Sequence, residues 1–555
     1  MNRFPLLLMA SALLASVGAP PVLAESAAQV NLRILAINDF HGNLKPPPGG
    51  IRISDPNDTV RTTMIPAGGA EQMATLVKQL REGRKNTIFV AAGDLIGASP
   101  FLSAMFHDEP TIEALSLMGL ALSSVGNHEF DEGKDELLRM QNGGCHPTEG
   151  CRGPHPFPGA KFHYLAASTV VKATGKTVFP PYQIESFGGI PVAFIGLTLK
   201  GTAGIISPSS AAGLEFRDEA ETVNALVPEL KARGVEAIVL LIHEGGFPSG
   251  GYNDCPGISG PIVDIARKLD HAVDLVISGH THQAYICNID GRLVTSGDKY
   301  GTLVTAIDVT LDPATRDVAN AKAENVIVRP TLAKNPEQTA LIDGYDKLAA
   351  PIAERRAGEI TETLSRVPNA SGESALGDVI ADGQLAATSE PATGNAVIAM
   401  TNPGGIRTDL LRREDGGVTY ADVFASQPFR NQLVTVTLTG AQIKAALEQQ
   451  WADPNRPRIL QVSRGFTYSF DATRPAGVRV DAASLRLNGA AIDPSRPYRV
   501  TINNYLALGG DGFAALKDGR DAQFGKYDDE VLFAYVKANS PVAPPPRDRI
   551  TSRGQ

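Results

Sequence analysis

Five short segments of this chain place Asp, His or Asn immediately after an apolar run. Asn38-Asp39-Phe40-His41-Gly42 follows the run 32–37, and Gly93-Asp94 follows 87–92. Gly126-Asn127-His128-Glu129 follows 121–125, His243 follows 238–242, and Gly279-His280-Thr281-His282 follows 274–278. One such residue is ordinarily a cap or turn residue. The set weighs more, because five of the 10 histidines in the chain fall in these five segments. A phosphate monoester carries negative charge that repels an incoming hydroxide. Two divalent ions about 3.5–4 Å apart clamp its oxygens and acidify a water. Such a pair needs hard oxygen ligands, neutral imidazoles and a carboxylate able to face both ions. Asp39, His41, Asp94, Asn127, His243, His280 and His282 supply that inventory, which suits zinc, manganese, iron or cobalt.

His128 is surplus to those seven ligands. It opens an apparent helix (HEFDEGKDELLRM) with Asp131 three residues on, within reach on one helix face. An acid partner favours the imidazolium, which can protonate a leaving alkoxide; helix capping is the plainer alternative. His107, His146, His155, His163 and His271 sit in no comparable context and read as solvated or structural.

Short apolar runs (32–37, 87–92, 192–197, 237–242, 275–278) alternate with helix-like stretches (71–81, 111–118, 219–232, 262–268). That alternation predicts an α/β domain over 30–333 with buried strands. In such sheets the loops beyond the strand C-termini build the ligand crevice, which is where the polar residues fall. Residues 334–358 read as a connecting helix interrupted by Pro351. A second domain follows over 359–538, with a helix at 375–387 and strands at 396–400, 433–438 and 498–502. A length of 555 residues also exceeds what one core serves. The formal charge of −9 gives no general attraction to a nucleic acid polymer. A small phosphate-bearing ligand gripped locally is expected.

Arg3, the apolar run 4–17 and Val22-Leu23-Ala24 predict a signal peptide over 1–24, cleaved after Ala24. The run is too short to span a membrane. The protein is expected to be periplasmic or secreted, with no membrane anchor and a disordered, proline-rich tail over 539–555. In an oxidising compartment the four cysteines pair, in sequence order Cys145 with Cys151 and Cys255 with Cys287, although four cysteines allow three connectivities.

Taken in order, Asp39-Phe40-His41, Gly93-Asp94, Gly126-Asn127-His128-Glu129, His243 and Gly279-His280-Thr281-His282 resemble the calcineurin-like metallophosphoesterases. With Phe130-Asp131 and the second domain, the chain resembles the bacterial secreted 5'-nucleotidase and UDP-sugar hydrolase family. The resemblance implies an α/β (α+β) fold: a sandwich of mixed sheets flanked by helices, then a smaller α/β nucleotide-specificity domain. In that domain Asn402-Pro403-Gly404-Gly405-Ile406-Arg407, Pro428-Phe429 and Asn504 to Phe513 match family motifs. They imply that Arg407 contacts phosphate, Phe429 and Tyr505 sandwich the base, Asn402 touches the base and Asp511 the ribose. Two departures stand out: Gly372-Glu373-Ser374 lacks an arginine common in relatives, and Tyr505 replaces phenylalanine. The implied activity is removal of phosphate from nucleoside 5'-monophosphates with two metal ions. A 2',3'-cyclic phosphodiesterase/3'-nucleotidase, a UDP-sugar hydrolase, a sulfur-compound hydrolase and an inactive binding protein are the rivals.

Overall fold

The computed structural model describes Met1 and residues 28–553, apart from 56–57 and 454–455. The expected signal peptide lies outside the described residues.

Two six-stranded sheets form the first domain. One runs Asp317–Ile327, Leu303–Asp312, Val30–Ile37, Thr87–Ala91, Leu122–Ser124, His163–Leu165. Its last four strands are parallel. The other runs Ala284–Ile289, Arg292–Gly297, Leu275–Ser278, Ala237–His243, Ile190–Thr198, Tyr182–Phe187, with a parallel centre and antiparallel edges. The alternation of side chains explains the packing. Leu32, Ile34 and Ala36 face Val192, Phe194, Val239 and Leu241 of the other sheet. Leu35 and Ile37 point the opposite way, onto helices Ala70–Arg81 and Glu109–Leu117. Ile195 and Leu240 of the second sheet likewise meet helices Glu219–Ala232 and Pro261–Lys268. Strands covered on both faces must be apolar throughout, and all seven residues of Ala237–His243 are buried. The sandwich and its flanking helices match the fold class the resemblance implied.

Helix Pro336–Ala353 starts on a capping Asn335, whose side chain accepts from the amides of Glu337 and Gln338. Pro351 does not interrupt it; it falls in the last turn, where one lost hydrogen bond leaves the helix intact to Ala353. Tyr345 of this helix packs on Phe106 of the first domain, and both join a cluster with Tyr420 and Phe424 of the second. The second domain is built on a five-stranded sheet, Gln461–Val462, Ile398–Thr401, Pro497–Asn503, Gln432–Thr439, Arg520–Tyr527. The tail is not disordered as expected. Ile550–Arg553 adds a strand parallel to Phe466–Asp471, and buried Arg549 grips both Asp382 oxygens at 2.7 and 2.9 Å. Proline-rich composition predicts weak local structure, but one buried ion pair and a sheet edge anchor this segment from outside. Cys145–Cys151 and Cys255–Cys287 are bridged, and the described residues include no free cysteine. No described helix is long and apolar enough to cross a membrane.

Candidate metal centre and active site

The loops after Val30–Ile37, Thr87–Ala91, Leu122–Ser124, Ala237–His243 and Leu275–Ser278 converge. His41 Nε2 lies 3.1 Å from His282 Nε2 and 3.7 Å from Asp94 Oδ2. His282 Nε2 is 3.3 Å from Asp39 Oδ1, and His243 Nε2 is 2.9 Å from Asp94 Oδ2. Across the same space His280 Nδ1 sits 3.1 Å from Asn127 Oδ1. Asp39, His41 and His282 form one ligand cluster; Asp94, His243 and His280 form a second. Asp94 also groups with His41 and His128, so its carboxylate faces both clusters and the His128 ring. All seven expected ligands are brought together.

Five of them adopt left-handed backbone: Asp39 (φ 49), His41 (φ 45), Asp94 (φ 49), His280 (φ 69) and His282 (φ 55). Each such residue costs about 1–3 kcal/mol and persists only where the surroundings over-determine it. Gly126 permits the closeness, since a Cβ there would lie 2.1 Å from Asp94 Oδ1. The Nδ1–H groups of His41 and His243 donate to the Gly97 and Ala92 carbonyls at 2.8 and 2.7 Å. That leaves each Nε2 with its lone pair pointing inward, as a metal ligand requires. His243 Nε2 makes no aligned hydrogen bond although it is buried beside Asp94. Inward imidazole lone pairs converging on the Asp39 and Asp94 carboxylates fit divalent cations.

Electrostatics agree. Burial, then the charge of His243, lowers His280 to about 3, and burial holds His41 and His282 well below the usual histidine value. Neutral imidazoles are the metal-binding form. Burial disfavours a charged His243, but Asp94 and Asp39 outweigh it and raise its pKa to about 10. A divalent cation would replace that proton as the carboxylates' counter-charge.

His128 does not open a long helix. It sits on a single 3₁₀ turn, His128–Phe130; Gly133 (φ 88) breaks the chain before helix Lys134–Asn142 begins. The turn still places Asp131 Oδ2 2.7 Å from His128 Nδ1. Burial opposes protonation of His128, but Asp131 and then Asp94 outweigh it and raise its pKa. Its ring stacks on Phe429 of the second domain at 5.7 Å.

Glu129 was unassigned from the sequence. Its carboxylate accepts from the amides of Asp94 (2.9 Å), Leu95 (2.7 Å) and Gly126 (2.6 Å), lashing two ligand loops together. Burial, helped by Asp94, pushes its pKa to about 8. The only signal in the sequence was its place beside His128.

Asn402, Arg407, Phe429, Tyr505 and Asp511 line one cavity of about 370 Å³ together with Asn127, His128 and His280. Asp511 accepts from Asn402 Nδ2 at 2.8 Å and from the Tyr505 hydroxyl at 3.0 Å. The hydroxyl that a phenylalanine would lack therefore positions Asp511. Arg458, also unassigned from the sequence, donates to the Asp511 carbonyl at 3.2 Å. Where an arginine was missing, Glu373 instead accepts from the Arg549 amide at 3.0 Å.

Residues 32–284 match the calcineurin-like phosphoesterase family, and residues 354–518 match the 5'-nucleotidase C-terminal domain. The chain is 32% identical over 551 residues to the cell wall protein Lmo0130 of Listeria monocytogenes, covering 93% of this chain and 68% of that protein. It is 33% identical over 526 residues to endonuclease YhcR of Bacillus subtilis, covering 94% of this chain but only 41% of that protein. The chain belongs to the 5'-nucleotidase family of calcineurin-like metallophosphoesterases. The crystal structure of a 5'-nucleotidase precursor from Thermus thermophilus superposes with a TM-score of 0.75 at 27% identity, covering 95% of this chain and all of that one. Membership makes the chain a metal-dependent phosphoester hydrolase, and the family fold implies divalent metal ions at the Asp/His clusters. Small nucleotides are the substrates of 5'-nucleotidases, and the cavity of about 370 Å³ is lined by residues of both domains.

Proposed function

We propose that this enzyme hydrolyses nucleoside 5'-monophosphates to nucleoside and phosphate, outside the cytoplasm, using two divalent ions. One observation carries the reading: the cavity that holds Phe429, Tyr505, Asn402 and Asp511 opens on His128, Asn127 and His280. A base held among the former leaves a 5'-phosphate at the latter. Asp39, His41, Asp94, Asn127, His243, His280 and His282 would hold the ions, whose chemistry there is charge neutralisation and acidification of a water. Arg407 faces the phosphoryl group, with its guanidinium 5.7 Å from the Phe429 ring. Asp131 fixes the Nδ1–H of His128, so Nε2 carries the proton given to the departing ribose oxygen. Phe429 and Tyr505 flank the base, Asn402 meets its edge and Asp511 the ribose hydroxyls. Two disulfides support an exported protein.

The test is phosphate release by purified protein from AMP, 2',3'-cyclic AMP and UDP-glucose, with each of zinc, manganese, iron and cobalt. AMP should be the preferred substrate. Preference for the cyclic ester or the UDP-sugar would reassign the activity within the family; no turnover with any metal would favour a binding protein.

A further inference from the structure

The base cavity is not the only opening onto the metal centre. His282 lines a larger cavity of about 620 Å³, and Arg407 lines both. We propose that this second cavity is a subsite for a neighbouring nucleotide, so that short phosphodiester-linked oligonucleotides are substrates beside mononucleotides. The proposal rests on the assignment of the base cavity given above.

The walls suit a nucleotide. Arg52, Lys299, Arg366 and Arg407 line the cavity. Two carboxylates, Asp298 and Asp409, are also present. Asp298 accepts from Thr302 Oγ1 at 2.8 Å, and burial raises its pKa; Asp409 accepts from the Arg366 amide at 2.8 Å. The cations therefore outnumber the carboxylates. Their place is close to the chemistry: the Tyr300 ring stands 5.7 Å from His282 and 5.8 Å from His41, with Lys299 Nζ 5.3 Å from that ring. The same cavity gathers exposed apolar side chains, Met64 (50% exposed), Val367 (62%) and Leu411 (44%). Cations beside solvent-facing apolar groups match a phosphate next to a base face. Apart from Arg407, which lines both cavities, a mononucleotide in the base cavity leaves this lining unused.

His128 lines the base cavity and not the second one, which sets the direction of cleavage. The nucleoside in the base cavity is the leaving group. A water oxygen bonds to phosphorus and the P–O5' bond breaks. O5' takes the proton of His128, and the water's proton passes to solvent. The phosphate stays on the 3'-oxygen of the nucleotide in the second cavity. The net charge of −9 argues against long polymers, but not against a few nucleotides held by a local groove.

The experiment compares AMP, ApA and ApApA on the metal-loaded enzyme, with products read by mass spectrometry, and measures ApApA binding by calorimetry in chelator. The wild type should release adenosine from ApA and ApApA and leave fragments ending in a 3'-phosphate. Arg366→Glu should weaken ApApA binding and lower its kcat/KM by about 5- to 30-fold, the scale of a surface ion pair lost and replaced by repulsion. AMP turnover should change less than twofold. Arg366 also donates to the Ile406 carbonyl at 3.0 Å, so Arg52→Glu, on the strand Ile51–Asp55, repeats the test away from that loop and should act the same way. Loss in neither variant, or AMP turnover without cleavage of ApA and ApApA, overturns the proposal. Fragments ending in a 5'-phosphate overturn the direction of binding. Failure on AMP itself sinks the prior assignment instead.

Discussion

The two halves of the active site are built on opposite terms. In the first domain the Asp and His side chains sit directly after parallel strands, and five of the seven expected ligands are forced into left-handed backbone. Carbonyls, amides and Glu129 brace them. In the second domain the polar residues sit in a loop and on single helical turns, with only Asp511 (φ 56) left-handed, and hold one another: Asn402 and Tyr505 both donate to Asp511. Phe429 reaches across to stack on His128. Charge at a reacting phosphorus must be met by dipoles already in place, because reorganising them would add to the barrier. Recognition of a base tolerates a looser frame, since stacking needs a flat face more than a fixed atom. The halves should therefore fail differently.

The largest effect belongs to Asp94, whose carboxylate faces both ligand clusters. Asp94→Ala is expected to lose metal occupancy by elemental analysis and to lower turnover more than about 10⁴-fold, beyond the usual range of a general acid. His128→Asn should keep its metals and lose about 10²–10⁴-fold in kcat. If it empties the site as well, His128 is a ligand and the contrast with Asp94 collapses.

Phe429→Ala tests the other half. Stacking worth about 1–3 kcal/mol per base would lower kcat/KM for AMP about 5- to 150-fold. Hydrolysis of a small aryl phosphate should barely change, and equal losses on both substrates would show that the halves are not separable. Smaller still, Tyr505→Phe removes two hydrogen bonds, the one its hydroxyl donates to the Asp511 carboxylate and the one it accepts from the Asp511 amide, each worth about 1 kcal/mol. It should raise KM for AMP about 5- to 30-fold with kcat intact; a fall in kcat alone would place Asp511 in the chemistry.

The smallest effect lies outside both halves. His107 Nδ1 meets Glu132 at 2.8 Å and Nε2 meets Glu149 at 3.1 Å. Burial opposes its charge, but the two glutamates outweigh it and raise its pKa to about 9. A raised folded pKa stabilises fully below the unfolded value of 6.5 and is lost as pH rises through about 9. Thermal unfolding should show a stability decline between those pH values that His107→Gln flattens, with AMP turnover near neutrality unchanged. A slope unaltered by the substitution would remove His107 as its source.

Much of the metal half was legible before any fold was known. Asp39, His41, Asp94, Asn127, His243, His280 and His282 follow apolar runs, and side-chain alternation with strand polarity dictates that residues after parallel strands share one edge. The pairing of His128 with Asp131 was also legible, because three residues bring two side chains together on a 3₁₀ turn as on an α-helix. Local signals misled where the cause was distant. The proline-rich tail reads as unstructured until Arg549 meets Asp382 across 167 residues of chain. Glu129 had no visible role because its three amide partners come from loops that only folding brings around it. The Tyr505 hydroxyl read as an extra group until Asp511 appeared beside it. The second cavity has no motif at all, for Arg52, Lys299, Arg366 and Leu411 come from four separate stretches. Residue types and spacing specify a chemistry because each loop is local to its strand. A cleft between domains has no local cause, so its shape and charge exist only once the chain has packed.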